Sequence, residues 1–269
     1  MRTVRSQDGT ALAFDAVGEG PPLIIVGGAF SYRRWKGFQQ LAELLGGRFT
    51  VVNYDRRGRG DSGDASRYAV DREIEDLGAL VQQVGGTAHA FGMSSGGVLA
   101  LRAAAAGVPI DRLAVYQPPF VVDSSGHVPP ADLAGRLETL LADGRRGRAV
   151  STFMREGMGA PGLFVTMLRV ARPIWSSLQA VAHTLPYDMA VMGDTVTGRP
   201  VGLDPWASVE TPTLVVDGSK SPASLRRASD ELAARLPHGS RRTLHRQSHN
   251  VAMKALAPVL EQFLSGVSR

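Results

Sequence analysis

The sequence predicts an α/β fold with a mainly parallel sheet flanked by helices on both faces. Short strands that are apolar almost throughout, such as residues 23–26 and 49–54, alternate with stretches of helical periodicity. Strands of this kind are typical of parallel sheets that lie buried between two layers of helices. Residues 118–206 break the alternation, because they are rich in Met, Leu and Arg and have helical patterning. We interpret them as a helical cap inserted into a core of residues 1–117 and 207–269.

The order of the elements follows from the apolar runs and from the turn residues that bound them. Apolar residues recur at helical spacing from Val70 to Val84, and Gly85 and Gly86 end this helix. Residues 2–17 have the pattern of two short strands, with Gly9 in the turn between them. The other expected strands cover residues 23–26, 49–54, 87–91, 112–117, 213–217 and 241–244, and the expected helices of the core cover 70–84, 95–107, 224–236 and 251–264.

The composition is that of a globular protein with a substantial core. Of the 269 residues, 43% are hydrophobic and 20% are charged, and there is no cysteine. The lack of cysteine excludes disulfides, thiolate metal sites and a cysteine nucleophile. The apolar runs are too short for a membrane-spanning helix, and the N-terminal residues lack the apolar stretch of a secretory signal. We therefore expect a cytoplasmic protein with no membrane partner.

The net charge of +5 is spread along the chain rather than gathered in one stripe. Arginines occur as separate pairs among acidic residues, without interleaved aromatic residues, at positions 56–57, 145–146, 226–227 and 241–242. Dispersed charge of this kind chiefly affects solubility. The sequence thus predicts a solvated surface and no nucleic-acid partner, and it leaves the oligomeric state open.

Residues 92–96 read Gly-Met-Ser-Ser-Gly, which is the G-x-S-x-G pattern of a nucleophile elbow. The motif lies between the apolar run 87–91 and a helical stretch, which is the strand-turn-helix context that an elbow requires. The glycines at its two ends allow the strand and the helix to approach closely. Ser94 is therefore the candidate nucleophile, and the helix that begins at Ser95 directs free N–H groups toward a developing negative charge.

Four motifs, in order, resemble those of the α/β-hydrolase fold family, and the resemblance covers nearly the whole chain. Residues 26–30 resemble the oxyanion loop after the third strand, although Gly27 stands where His is usual. Residues 55–62 are similar to the D-x-R-G-x-G-x-S turn, which we interpret as structural. The elbow is the third motif, and His249 stands shortly before the last helix, where the family places its catalytic histidine. The resemblance implies the α/β-hydrolase fold.

The resemblance also implies a catalytic site made of Ser94 and His249. A serine hydroxyl is a poor nucleophile, so a histidine must remove its proton and later donate it to the leaving group. Among the six histidines we favour His249 over His245, because it lies in the loop before the last helix. The backbone N–H groups of Ala29 and Ser95 are the implied oxyanion donors. Since backbone groups donate there, the missing His at position 27 is tolerated.

The sequence has no acid at either position where the family places one. Ser221 stands where an aspartate would follow strand seven, and Gln117 stands where some relatives have a glutamate after strand six. Three alternatives remain open. Asp123 or Asp217 reaches the histidine, Gln117 orients it through a neutral hydrogen bond, or the acid is truly absent. Loss of the acid typically slows serine hydrolysis about 10⁴-fold.

The expected ligand is a mainly apolar small molecule, namely an ester, a lactone or a related carbonyl compound. The cap contains aromatic, Met and aliphatic residues suited to an apolar cavity over the elbow: Phe153, Met154, Met158, Phe164, Met167, Leu168, Ile174, Trp175 and Leu178. No motif calls for a metal or an organic cofactor. Two alternatives stay open: a lyase, cyclase or isomerase of secondary metabolism, and a catalytically silent binding protein.

Overall fold

A computed structural model describes residues 1–196 and 198–266. Its strands are β1 (Arg2–Arg5), β2 (Ala11–Val17), β3 (Pro22–Val26), β4 (Thr50–Tyr54), β5 (Ala88–Met93), β6 (Ile110–Tyr116), β7 (Thr213–Gly218) and β8 (Gly239–Leu244). They form one sheet in the order β1-β2-β4-β3-β5-β6-β7-β8. The pairs β1–β2 and β2–β4 are antiparallel, and every later pair is parallel. The predicted fold class is confirmed.

Helices cover both faces of this sheet and fill the segment between β6 and β7. They are α1 (Lys36–Leu45), α2 (Val70–Gln83), α3 (Ser95–Ala105), α4 (Leu133–Ala142), α5 (Arg146–Thr152), α6 (Gly162–Val170), α7 (Arg172–Ala180), α8 (Leu185–Met192), α9 (Ala223–Arg235) and α10 (Met253–Leu264). A π-helical turn, Phe153–Gly157, continues α5. Helix α1 is missing from the elements expected from sequence, although its buried residues recur at helical spacing.

The core has two layers because successive strand residues face opposite sides of the sheet. In β3, Ile24 packs in one layer with residues of α2, α3 and α9. Its neighbours Leu23 and Ile25 pack in the other layer with residues of α1 and α10. The continuous apolar run of β3 is therefore buried on both faces, as a central parallel strand requires.

The cap segment, which we define as residues 118–206, contains α4 to α8. Its helices share a separate apolar cluster that includes Leu137, Val150 and Leu185. Parts of the segment also pack into the main core, as Phe120 and Trp206 do. The division of the chain at residues 118 and 206 remains a prediction. In the part of the chain that the structure describes, no helix is both long and apolar enough to cross a membrane.

The close packing at the elbow predicts opposite effects for two glycine-to-alanine substitutions. A Cβ on Gly96 would lie 2.3 Å from the Val26 carbonyl oxygen, whereas a Cβ on Gly78 in α2 meets no atom within 4 Å. We expect G96A to lower the free energy of unfolding by about 3 kcal/mol or more. We expect G78A to raise it by about 0.5–1 kcal/mol. Urea unfolding measures both, and equal tolerance of the two changes would contradict the observed packing.

Candidate active site

The backbone at Ser94 forms a strained turn between β5 and α3. Its φ of 56° and ψ of −128° place a non-glycine residue in a region that costs of order 1–3 kcal/mol. The Ser94 N–H donates to the Tyr116 carbonyl oxygen at 2.9 Å, which ties the turn to the end of β6. The strand-turn-helix context predicted for residues 92–96 is therefore present, and Ser94 lies at the carboxyl edge of the sheet.

Glycines allow the β3 loop and the start of α3 to lie against this turn. A Cβ on Gly92 would lie 2.5 Å from the Gly97 Cα, and one on Gly28 would lie 2.7 Å from the Met93 carbonyl oxygen. Real Cβ atoms do not tolerate such distances, so only glycine fits at these positions. The loop at residues 26–30 is thus held directly beside Ser94.

Gln117 is the residue that contacts His249. It follows β6, has a φ of 45° and is fully buried. Its Oε1 lies 3.0 Å from His249 Nδ1. Because an amide oxygen only accepts, Nδ1 carries the proton and Nε2 keeps a lone pair for the serine. Tyr116 supports the same loop, since its hydroxyl donates to the Ser248 carbonyl oxygen at 2.5 Å.

The carboxylates considered for this role, Asp123 and Asp217, are bound to other partners. Asp123 binds Arg227, with its Oδ2 at 2.5 Å from the guanidinium Nε, and it also accepts from Ser125. Asp217 is fully buried in β7, and its Oδ2 lies 2.5 Å from Arg241 Nη2. His249 Nδ1 faces the neutral amide instead. The contact with Gln117 is the one observed, and its role as orienter of His249 remains a prediction.

Burial lowers the pKa of His249 below its ordinary value of 6.5. Removing an imidazolium from water is unfavourable, and the amide of Gln117 carries no charge to compensate. His249 is therefore neutral at pH 7, as a general base must be. Within the described residues no hydrogen bond joins the Ser94 hydroxyl to His249. Such contacts often tighten only when the substrate is bound.

The two predicted oxyanion donors have different surroundings. Ser95 is the first residue of α3, so its N–H has no intrahelical acceptor. The Ala29 N–H donates to the Ser95 Oγ at 3.1 Å. The Ser95 hydroxyl in turn donates to Asp188 Oδ1 at 2.8 Å. The Ala29 peptide is thus already held by a side chain, a contact that the sequence did not indicate.

A buried ionic cluster lies behind the oxyanion loop and was missed by the sequence reasoning. Arg56 binds Glu73 through two contacts of 2.6 Å and Asp188 through one of 2.7 Å. Arg59 binds Asp188 at 2.6 Å. All four side chains are at most 2% exposed. The one available signal was the excess of arginine in the 55–62 turn, where Arg57 alone matches the family motif.

The cap contributes apolar side chains beside the loop, but fewer than the sequence suggested. Phe153 packs edge-to-face on Phe30 with ring centroids 5.5 Å apart, and Met154 is buried in the same cluster. Leu168, Trp175 and Leu178 are partly buried against that cluster. Four of the expected lining residues are instead half or more exposed, which is incompatible with a closed pocket wall at these positions: Met158, Phe164, Met167 and Ile174.

Comparison with known proteins identifies the family. The family model described as "Alpha/beta hydrolase family" matches residues 23–261. The chain belongs to the α/β hydrolase family. A crystal structure of an α/β hydrolase from Sphaerobacter thermophilus is 52% identical, covers 98% of this chain and 100% of its own, and superposes with a TM-score of 0.91. The resemblance inferred from the four motifs is confirmed.

Two further similarities are more distant. The N-formylmaleamate deformylase of Pseudomonas putida is 39% identical over 106 residues, which is 38% of this chain and 39% of that protein. The chain thus matches well under half the length of that curated relative. The enol-lactonase of Burkholderia xenovorans shares the fold, with a TM-score of 0.71 at 17% identity. That match covers 98% of this chain and 100% of the enol-lactonase.

The lowered pKa of His249 predicts a pH dependence of activity and of stability. If the neutral imidazole is the active form, the acid limb of kcat/KM should be centred below pH 6.5. Protonation also favours the unfolded chain, whose histidine binds a proton near pH 6.5, so the free energy of unfolding should fall as the pH is lowered below about 6.5. Initial rates and urea midpoints from pH 4.5 to 8.5 measure both. An acid limb centred above pH 6.5 would contradict this prediction.

Proposed function

We propose that the protein is a serine hydrolase that acts on a mainly apolar small-molecule ester, lactone or related carbonyl compound. Ser94 is the nucleophile, His249 is the general base and acid, and Gln117 orients the imidazole. The observation that carries the proposal is the 3.0 Å contact between His249 Nδ1 and Gln117 Oε1, at the strand end next to the elbow. This contact gives the histidine the tautomer that can accept a proton from serine.

The reaction follows from these positions in two steps. His249 Nε2 takes the proton from Ser94 Oγ as the oxygen attacks the carbonyl carbon, and then gives it to the leaving group as that bond breaks. Water attacks the resulting acyl-enzyme by the same route in reverse. Negative charge on the carbonyl oxygen is stabilised by the Ser95 N–H at the start of α3, together with the Ala29 N–H, which shares its proton between the Ser95 Oγ and the oxyanion. No cofactor is required for this chemistry.

The neutral orienter favours substrates with good leaving groups. An aspartate both orients the histidine and stabilises the imidazolium, whereas Gln117 can do only the first. A leaving group of low pKa needs less proton donation in the transition state, so it depends less on the imidazolium. Enol lactones, aryl esters and N-acyl groups activated by a second carbonyl have this property. The names of an N-formylmaleamate deformylase and an enol-lactonase among the similar proteins support this class.

The surroundings of the loop support an apolar substrate. Phe30 follows the oxyanion donor Ala29, and both pack against the apolar cluster of the cap. Phe153 covers Phe30 from the cap side. An acyl group bound beside Ser94 would therefore lie next to aromatic and aliphatic surface rather than next to charge.

The same observation favours a second candidate function. A neutral His249 with a lowered pKa, beside a serine hydroxyl, also suits proton transfer in an elimination, cyclisation or isomerisation. Such reactions form no acyl-enzyme. They also need no imidazolium that is stabilised by a neighbouring charge while it protonates a leaving group. Detection of an acylated serine distinguishes the two candidates.

The first experiment is active-site labelling with a fluorophosphonate, followed by mass spectrometry. We expect labelling at Ser94, complete loss in S94A, and hydrolysis of p-nitrophenyl esters that S94A lacks. S177A removes an exposed hydroxyl on α7 and serves as the matched control, with wild-type labelling and rate. An unlabelled wild-type protein that hydrolyses no ester would overturn the proposal and favour a silent binding protein.

The second experiment restores a carboxylate at position 117. The charge in Q117E should raise the pKa of His249 and move the acid limb of the pH profile to higher pH. It should accelerate the hydrolysis of alkyl esters about 10- to 100-fold more than the hydrolysis of p-nitrophenyl esters. Q83E adds the same charge on the exposed end of α2 and should change nothing. Equal effects on both ester classes would mean that the neutral orienter does not set leaving-group preference.

A further inference from the structure

Two consecutive peptide units of the oxyanion loop, Gly27–Gly28 and Gly28–Ala29, are hydrogen-bonded to one buried network. The Gly27 carbonyl oxygen accepts from Arg56 Nη1 at 3.2 Å, and the Gly28 carbonyl oxygen accepts from Arg59 Nη1 at 2.6 Å. The Ala29 N–H donates to the Ser95 hydroxyl oxygen at 3.1 Å. Both carbonyls and the N–H are therefore held by side chains, and each of these side chains contacts the same carboxylate.

That carboxylate is Asp188, which belongs to the cap segment. It lies on α8, is 1% exposed, and accepts from Arg56, Arg59 and the Ser95 hydroxyl at 2.6–2.8 Å. Burial alone would raise the pKa of Asp188, but the charges of Arg59 and Arg56 outweigh it and hold the pKa below the ordinary value. Asp188 is therefore ionised, with an acceptor site for each of the three donors.

The network is electrically balanced without any group from the catalytic pair. Arg56 is shared between Glu73 and Asp188, while Arg59 uses Asp188, the Gly28 carbonyl and the Thr184 hydroxyl. Two cations and two anions are thus buried together. Removal of one partner from such a cluster leaves an unpaired buried charge, which is strongly unfavourable. The cluster is accordingly stiff, and the loop that it holds has little freedom to rotate its peptides.

We propose that Asp188 is a positioning residue, supplied by the cap, that sets the direction of the oxyanion-loop peptides through Ser95, Arg56 and Arg59. An oxyanion donor is effective only when its N–H points at the developing charge and lies within a few tenths of an ångström of the position from which it can donate. Arg59 holds the carbonyl end of the Gly28–Ala29 peptide and the Ser95 hydroxyl, itself held by Asp188, holds its N–H end. The Ala29 N–H therefore reaches an oxyanion by sharing its proton between the Ser95 Oγ and the developing charge. The role in catalysis rests on the proposed hydrolase function, whereas the anchoring of the loop does not.

This arrangement also assigns different roles to different parts of the cap. Helix α8 packs against α3 and carries Asp188 into the core, so it must stay in place for the oxyanion hole to form. Displacement of α8 would release the Gly27–Gly28 and Gly28–Ala29 peptides together. Movement of the cap that admits substrate must therefore leave α8 seated.

The test uses S95A and D188N in the full-length protein, with two readouts. S95A removes one hydroxyl and leaves Asp188 paired with both arginines, so it is the variant expected to fold normally. Amide hydrogen exchange at Ala29, measured by NMR, reports loop anchoring without any need for activity. Fluorophosphonate labelling and the kcat and KM for a p-nitrophenyl ester report the catalytic consequence.

We expect faster exchange at Ala29 in both variants. Labelling and kcat should fall about 10-fold in S95A and about 100-fold in D188N, with KM within about two-fold of the wild type. The matched controls are S229A, a buried serine on α9, and D76N, a buried aspartate bound to Arg57. Neither control contacts the oxyanion loop, so at equal folded fraction both should keep wild-type exchange and wild-type kcat.

Each outcome decides the inference. Unchanged exchange at Ala29 in folded S95A and D188N overturns it, whatever the activity. Faster exchange with wild-type kcat shows that the loop is anchored but that its direction does not serve catalysis, which also overturns it. If exchange accelerates as expected but the wild-type protein is not labelled, the hydrolase proposal fails while the anchoring by Asp188 stands.

Discussion

The sharp turn at Ser94 is the constraint on which the rest of the site depends. It requires glycines on both sides, and those glycines admit the β3 loop to within van der Waals contact. Because α3 begins directly after the turn, the Ser95 N–H is left without an intrahelical partner. Met93 and Tyr116 pair across the sheet, so Gln117 emerges from β6 beside the turn and reaches His249. A single strained residue thus sets the position of the proposed nucleophile, oxyanion donor and base together.

Charge is distributed around this turn in an unusual way. Behind His249 there is an amide, and the buried carboxylates lie behind the oxyanion loop instead. The amide keeps the orienting role of a triad acid and gives up the stabilisation of the imidazolium. It also leaves Gln117 Nε2 buried without a hydrogen-bond partner among the described residues, which costs about 1–3 kcal/mol. The ionic groups of Arg56, Arg59 and Asp188 hold backbone rather than activate a base.

The sequence was informative where function depends on local geometry. The turn at the elbow was predictable because a strand-turn-helix pattern is a property of a short segment. The choice of His249 rests on its place in the loop before the last helix and stays a prediction. Helix α1 was missed, although Phe38, Leu41 and Leu45 have helical spacing, because neither an acidic first turn nor an N-capping side chain marks its start. The local sequence pattern is therefore enough to predict the elbow, but it is a weak signal for a helix without a capping residue.

Contacts between segments that are distant in the sequence could not be predicted from local sequence patterns. The choice among Gln117, Asp123 and Asp217 depends on which side chain meets His249 across more than one strand, and periodicity carries no such information. Asp188 lies 93 positions from Ser95 and 132 from Arg56, so its role follows only from the folded chain. The residues that tune the site were thus the least predictable part of it.

The central claim is that a neutral hydrogen bond from Gln117 sets the tautomer of His249. The direct measurement is the ¹H and ¹⁵N NMR spectrum of the imidazole at pH 7, assigned with H249Q. We predict a neutral ring that is protonated at Nδ1. The Nδ1 proton should be protected from solvent exchange in the wild type and should exchange faster in Q117A. A ring protonated at Nε2, or one that is positively charged at pH 7, would contradict it.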